Sequence, residues 1–153
     1  MTTIYIDADG CPVKEETFKV ARRHKLNVIL VANSWMRVPE STRIRLQQVG
    51  DGFDEADDWI VEQAGKGDVA VTTDIPLAAR LIANGVRVIG PRGKEFKEEQ
   101  IGDALAKREI ATHLRELGEM TGGPPPMQQK DRSKFLSTLH EVIERVLRQN
   151  PPS

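Results

Sequence analysis

Short apolar runs alternate with amphipathic segments along most of this chain. The runs over residues 27–31 and 68–72 are almost continuously apolar, a pattern typical of strands buried on both faces of a parallel sheet. Residues 43–49 instead alternate with a period of two, which predicts a strand with one wet face at a sheet edge. With further strands expected over residues 3–6 and 86–89, the pattern predicts a sheet of five strands.

Helix signals separate these strands. Pro12 stands where the first position of a helix is expected, and that helix should run to about residue 24. Asp54 is expected to cap a second helix over residues 55–64, and a third is expected over residues 75–84. The alternation of strands and helices predicts an α/β fold with three layers, in which a doubly wound, mostly parallel sheet lies between helices.

Beyond the fifth strand the chain is expected to be helical. One helix is predicted over residues 98–117, followed by a short Gly/Pro linker over 121–126. Residues 131–149 carry a strong apolar stripe at helical spacing, which predicts an amphipathic helix packed on the sheet or on the preceding helix. A length of 153 residues suits one domain spanning residues 1–153.

Composition narrows the class of protein. The net charge of −1 argues against a broad nucleic-acid-binding surface. A single cysteine, Cys11, excludes an internal disulfide framework and fits a reducing compartment. The first residues lead straight into a strand pattern, so we expect a cytoplasmic protein with no membrane partner. His24, His113 and His140 show no ligand spacing and are expected on helix surfaces.

Two of the predicted strands deliver an aspartate to their carboxyl ends. Asp7 ends the first strand and Asp74 follows the fourth, and the carboxyl ends of parallel strands meet at one edge of a sheet. On the helix between them, a rotation of about 100° per residue places Asp57 at the margin of the buried face and Asp58 nearly opposite it. Asp9 lies in the loop after the first strand.

Carboxylates gathered in this way repel one another, and a hard cation such as Mg²⁺ or Mn²⁺ removes the repulsion. Such an ion activates water and offsets charge on a phosphoester, so the cluster predicts a phosphoester hydrolase. Every aspartate of the cluster except Asp7, which has no helix to cap, also has an ordinary interpretation. Asp9 and Asp74 suit helix caps, and Asp57 and Asp58 suit the first turn of a helix.

Six ordered motifs cover nearly the whole chain and resemble the bacterial YaiI/YqxD family. They are Asp7-Ala-Asp-Gly-Cys-Pro-Val-Lys14, Val31-Ala-Asn-Ser-Trp35, Gly52-Phe-Asp-Glu-Ala-Asp-Asp-Trp-Ile60, Thr73-Asp-Ile-Pro-Leu-Ala78, Pro91-Arg-Gly93 and Gly122-Gly-Pro-Pro-Pro126. More distantly the chain is similar to PIN-like (PIN/NYN) nucleases, whose pattern is a strand-end aspartate, a helix with Asp-x-x-Ile, and a strand ending in Thr-x-Asp.

The PIN-like resemblance implies a metal-dependent nuclease. It implies that Asp7, Asp57 and Asp74 are catalytic ligands of Mg²⁺ or Mn²⁺, and that nucleic acid, most simply RNA, is the substrate. Many PIN domains carry an additional acidic residue in the middle of the chain that has no counterpart here. Asp9 and Asp58 are the candidates to replace it as metal ligands.

Substrate contacts are expected from side chains near the same edge. Thr72 is implied by the resemblance as a supporting hydroxyl, and Asn33 and Ser34 follow the second strand, where Trp35 offers a ring for base stacking. Candidates for phosphate contact are Arg37, Arg43 and Arg45 around the third strand, Arg92 and Lys94 after the fifth, and Arg132 and Lys134 beyond the linker. Arg92 is the strongest of them, because strand-end loops face the site.

Two other classes of function remain open at this stage. Asp7-Ala-Asp9-Gly10 resembles the Asp-x-Asp opening of haloacid-dehalogenase phosphatases, with Asp7 as nucleophile and Asp9 as acid and base. Cys11 stands where that family usually has a hydroxyl residue, and no Lys precedes a matching acidic end motif. The third class is a non-catalytic module that binds nucleic acid or a protein.

Overall fold

A six-stranded sheet organises the part of the chain that the computed structural model describes, residues 2–52, 54–102 and 126–150. The strands are β1 (Thr3–Asp7), β2 (Asn27–Ala32), β3 (Ile44–Gln48), β4 (Val69–Val71), β5 (Arg87–Ile89) and β6 (Glu95–Phe96). Their order is β3-β2-β1-β4-β5-β6, and all neighbours are parallel except β5 and β6. The predicted α/β fold is confirmed, with one strand more than the five expected, because a two-residue strand shows no periodicity in the sequence.

Helices cover both faces of this sheet. They are α1 (Lys14–His24), α2 (Glu55–Gln63), α3 (Ile75–Ala83) and α4 (Gln129–Gln149). Residues 98–102 are also helical, whereas the rest of the helix expected over 98–117 and all but the last residue of the expected linker lie outside the described residues. Within the described residues, no helix has both the length and the apolar character that crossing a bilayer requires.

The alternation of side chains along β1 divides the core into two halves. Ile4 and Ile6 pack with residues of α1 and α4, whereas Tyr5 packs with residues of α2 and α3. Since successive side chains of a strand point to opposite faces, Asp7 lies on the same face as Tyr5. The carboxylate that ends β1 is therefore directed to the layer that contains α2 and α3.

Two predicted helix starts were wrong in detail. Helix α1 begins at Lys14, and Pro12 lies in the preceding loop, where its carbonyl accepts a hydrogen bond from Arg132 at 2.6 Å. Asp54 does occupy the N-cap position of α2, but its backbone is left-handed, with a φ of 62°, and its side chain makes no capping hydrogen bond.

A contact between two helices was also missed. His24 of α1 and His140 of α4 were expected as separate surface residues, yet both are half-buried and their ring nitrogens lie 3.0 Å apart. His140 also lies 2.9 Å from Glu144 one turn later. These residues join the two helices that cover one face of the sheet, whereas His113 lies outside the described residues.

Helix α4 packs directly on the turn between β5 and β6. Gly93 has a φ of +88°, and Thr138 donates a hydrogen bond to its carbonyl at 2.8 Å. A Cβ on Gly93 would stand 2.8 Å from the carbonyl carbon of Lys134 and 2.8 Å from the amide nitrogen of Phe135. Both neighbours are helix backbone and cannot move aside easily, so this turn requires glycine.

We expect Gly93→Ala to destabilise the fold by about 2 kcal/mol or more, because left-handed strain adds to a collision with helix backbone. The matched control is Gly65→Ala, since a Cβ there meets no atom within 4 Å. Urea denaturation monitored by circular dichroism measures both changes. Equal unfolding midpoints for the two variants would contradict the close packing of α4 on Gly93.

Candidate active site

Thr72 joins the two strand-end aspartates. Its hydroxyl donates a hydrogen bond to Asp7 Oδ2 at 2.8 Å and accepts one from the amide of Asp74 at 3.0 Å. The Thr72 side chain is buried, at 3% exposure. The three residues lie at the carboxyl ends of β1 and β4, where the strand order reverses and open α/β sheets form their ligand crevice.

Asp74 has a second, structural role. Its Oδ1 accepts a hydrogen bond from the amide of Leu77 at 2.9 Å, so the carboxylate caps α3 as the ordinary interpretation predicts. The cap uses Oδ1 of Asp74. Among the described residues, none donates a hydrogen bond to its second carboxylate oxygen, Oδ2. The cap therefore orients Asp74 at the edge of the site without excluding a ligand role.

The two aspartates of α2 differ as the helix-face pattern predicts. Asp57 is half-buried, and no described residue donates a hydrogen bond to its carboxylate. Asp58 is exposed and forms an ion pair with Arg80 at 2.8 Å. The structure thus brings Asp57 toward Asp7 and Asp74 and leaves Asp58 on the solvent side of the helix.

Charge repulsion links the three carboxylates. Burial, together with the negative charges of Asp74 and Asp7, raises the pKa of Asp57 to about 6. Burial also raises the pKa of Asp7; the charges of Asp74 and Asp9 add to this effect, and the Thr72 hydrogen bond opposes it. Each carboxylate therefore makes its neighbours harder to ionise, which is the electrostatic situation that a cation relieves.

A complete metal cage is not preformed. Across residues 2–52, 54–102 and 126–150, no three His, Cys, Asp or Glu side chains form a group that could hold a metal ion. The arrangement instead offers separate carboxylates around a narrow cleft of about 10 Å³, which Asp7, Asp9 and Thr72 line. That set suits an ion such as Mg²⁺, which often takes one or two protein carboxylates and completes its shell with water and substrate phosphate.

The loops after β1 and β2 are tied together by two of the predicted site residues. The Asn33 amide donates a hydrogen bond to Asp9 Oδ2 at 2.8 Å, and the Asn33 side chain donates to the Gly50 carbonyl at 3.0 Å. Asp9 and Asn33 thus shape the rim of the cleft through contacts with each other. Ser34 is exposed on the same loop, and no described residue forms a hydrogen bond with its side chain.

The predicted phosphate contacts hold the fold together as well. Arg132 bonds to Glu16 at 3.1 Å in addition to the Pro12 carbonyl, which joins the start of α4 to the start of α1. Arg92 bonds to Asp131 at 3.0 Å, also at the start of α4. Cys11 is half-buried beside the cleft, and burial raises the pKa of its thiol, which argues against a nucleophilic role.

A larger cavity continues from the cleft. It has a volume of about 550 Å³ and shares Gly10, Thr73 and Pro91 with the cleft. Its other walls include Phe96 and Met127, which belong to segments that the sequence pattern does not connect. No sequence signal identified this cavity, because its lining comes from separate loops that only the fold brings together.

The comparisons with known proteins agree with the motif resemblance. A family model described as "Uncharacterized BCR, YaiI/YqxD family" matches residues 5–145. The chain belongs to the YaiI/YqxD family. No solved structure matches it.

Several relatives in this family are about half identical to the chain. A UPF0178 protein of Rhodopseudomonas palustris (strain BisB18) is 51% identical over 97% of this chain and 96% of its own length. A UPF0178 protein of Nitrobacter winogradskyi is 51% identical over 95% and 92%, and one of Bradyrhizobium sp. (strain ORS 278) is 52% identical over 96% and 90%. The match therefore extends over nearly the whole length of each relative.

Thr72→Val should destabilise the protein by about 1–3 kcal/mol, because it leaves Asp7 Oδ2 and the Asp74 amide without their shared partner. Loss of this hydrogen bond should also raise the pKa of Asp7 further. The control is Thr73→Val, since Thr73 is exposed, and we expect a change within about 0.5 kcal/mol. Urea denaturation at neutral pH makes the comparison, and equal losses for both variants would contradict the bridging role.

Asp57→Asn should stabilise the metal-free protein at pH 7. A folded pKa of about 6 against an ordinary value of 3.8 means that the folded state binds more protons between these values. The free energy of unfolding of the wild type therefore falls as the pH rises through this window. Partial solvent exposure screens the effect, so we expect a gain of about 1 kcal/mol above pH 6 and almost none below pH 4.

The control for this prediction is Asp58→Asn, which removes only an exposed ion pair and should change stability by at most about 1 kcal/mol. Thermal and urea unfolding in EDTA at several pH values test both variants. A constant difference between Asp57→Asn and the wild type at all pH values would contradict the raised pKa.

Proposed function

We propose that this protein is a metal-dependent nuclease that hydrolyses phosphodiester bonds, with RNA as the substrate. The observation that carries the proposal is the hydrogen-bonded arrangement of Asp7, Thr72 and Asp74 at the sheet edge, with Asp57 electrostatically coupled to it. The order of these residues along the chain, which is similar to that of PIN-like nucleases, supports the same conclusion.

The donor set fits Mg²⁺ or Mn²⁺ better than a softer metal. Carboxylate oxygens are the ligands that these ions prefer. Asp7 and Asp74 would hold the ion, since the Thr72 hydroxyl orients the carboxylate of Asp7 and the Leu77 amide orients that of Asp74, and Asp57 would contribute from α2. When bound, the ion would polarise the phosphodiester and lower the pKa of an attacking water.

The chain's own residues supply the remaining requirements. Thr72 holds Asp7 in a fixed orientation, and the Leu77 amide does the same for Asp74. The contact between Asp9 and Asn33 places the loops after β1 and β2 beside the cleft. We assign Asp9 a supporting role, because it bonds to a loop amide, and we place Asp58 outside the site, because it pairs with Arg80 in solvent.

The direct test is cleavage of a labelled single-stranded RNA in Mg²⁺ or Mn²⁺. We expect wild-type protein and Asp58→Asn to cleave it, EDTA to stop cleavage, and Asp7→Asn to reduce the rate about 100-fold or more. Because the variants are purified identically, equal activity of Asp7→Asn and wild type would reveal a contaminating nuclease. Such equality, or no cleavage by any protein, would contradict the proposal.

Two further measurements separate the other function classes. A beryllofluoride adduct on Asp7, with hydrolysis of a phosphomonoester, would indicate the haloacid-dehalogenase type of phosphatase with Asp7 as nucleophile. Calorimetric titration with Mn²⁺ tests the non-catalytic module. We expect binding that Asp7→Asn weakens and Asp58→Asn preserves, whereas no binding to the wild type would favour a module without catalysis.

A further inference from the structure

The cavity of about 550 Å³ lies directly beside the carboxylate cleft. The two share Gly10, Thr73 and Pro91, so a molecule that fills the cavity also borders the site around Asp7. A volume of this size lies within the range of cavities that bind small organic groups. The cavity therefore belongs to the same edge of the sheet as the carboxylates, and any molecule bound in it would border them.

The walls of the cavity are mainly apolar. Pro12, Ile75, Phe96 and Met127 contribute hydrocarbon and aromatic surface, and none of these side chains carries a charge. Two cationic side chains also line the cavity: Lys94 is exposed at its edge, and Arg92 bonds to Asp131 at 3.0 Å. The combination of a planar ring inside and an ammonium group at the rim suits a flat heterocycle attached to an anion.

We propose that this cavity binds one unpaired base of a single-stranded nucleic acid, stacked on Phe96, while the adjoining phosphate crosses the cleft at Asp7. This proposal rests on the proposed nuclease function and names its substrate class. A base paired within a duplex cannot enter, because its faces are covered by neighbouring base pairs. Stacking on an aromatic ring accepts any base, so the cavity selects single strands over duplexes without strong sequence preference.

Charge supports this occupant over an apolar peptide. Lys94 offers a positive group for the backbone phosphate of a bound nucleotide. An apolar peptide carries no anion for Lys94, so this charge would not favour its binding. The cavity thus suits the base of a nucleotide, Lys94 suits its phosphate, and the carboxylate cleft lies where the phosphodiester bond would be cleaved.

Trp35 provides a structural alternative for stacking. Its side chain is 72% exposed on the loop after β2, but it does not line the cavity. A base stacked on Trp35 would lie on open surface, whereas a base on Phe96 would contact walls from several segments. If the base stacks on Phe96, mutation of Phe96 should weaken binding and mutation of Trp35 should not. If the base stacks on Trp35, the reverse is expected.

The test measures binding without cleavage. In an Asp7→Asn background with Mg²⁺, fluorescence anisotropy reports the affinity for a labelled RNA of about ten nucleotides, single-stranded or annealed to its complement. We expect the single strand to bind about tenfold or more tightly than the duplex. Phe96→Leu, which keeps apolar volume but removes the ring, should weaken single-strand binding about tenfold, and Trp35→Ala should change it less than twofold.

A second arm distinguishes stacking from an indirect structural effect. Because the RNA can shift its register to avoid a single abasic site, this arm uses an RNA that lacks all its bases. It should bind more weakly than the intact strand to the parent protein, and Phe96→Leu should weaken binding of the intact strand but not of the abasic RNA. Thermal unfolding verifies that the variants remain folded. Independent, additive losses from Phe96→Leu and from removal of the bases, equal binding of single strand and duplex, or a loss only in Trp35→Ala would each overturn the proposal.

The outcome is separable from the proposed catalysis. If the Phe96 and abasic results hold but the wild type cleaves no RNA, the base cavity stands and the nuclease function is wrong. If the wild type cleaves RNA and Phe96→Leu cleaves and binds equally well, the nuclease function stands and the base cavity is wrong.

Discussion

The site depends on the parallel pairing of β1 with β4. Ile6 is paired with Val71 in this register, so the next residues, Asp7 and Thr72, meet at the strand ends. A slip of one residue that brought Thr73 beside Asp7 would replace the buried Thr72 by an exposed residue. It would also turn the side chains of each face of the strand to the opposite face. Because β1 lies at the centre of the sheet, between β2 and β4, the buried side chains on both faces hold this register.

The carboxylates at this edge differ from an aspartate that only supports the fold. Asp68, at the start of β4 and thus at the opposite edge, accepts hydrogen bonds from the amides of Thr3 and Gly65 at 2.9 and 3.0 Å. Among the described residues, Asp57 receives no such bond, and burial and like charges raise its pKa. Carboxylates that accept hydrogen bonds from neighbouring amides stabilise a fold. Carboxylates that repel one another and accept few hydrogen bonds are instead typical of sites that bind a ligand or cation.

Helix α4 contributes to the same edge from the other side of the sheet. Its first turn contacts both neighbouring loops, through Arg132 to the Pro12 carbonyl and through Asp131 to Arg92. Farther along, the helix backbone packs on Gly93. These contacts bring Met127, just before the helix, to the wall of the large cavity. Arg92 and Arg132, two of the arginines predicted to bind phosphate, thus position loops beside the cavity.

Local patterns in the sequence were enough for the layered α/β fold and for the placement of Asp7 and Asp74, because hydrophobic period and strand-end position are local properties. They also separated half-buried Asp57 from exposed Asp58, since one helix face determines that difference. Only the tertiary structure decided what Arg132, Asn33 and the paired histidines contact, because their partners are distant in the chain. The cavity beside Asp7 also depends on the tertiary structure. Its walls come from separate loops and strand ends, and no local pattern encodes the space between them.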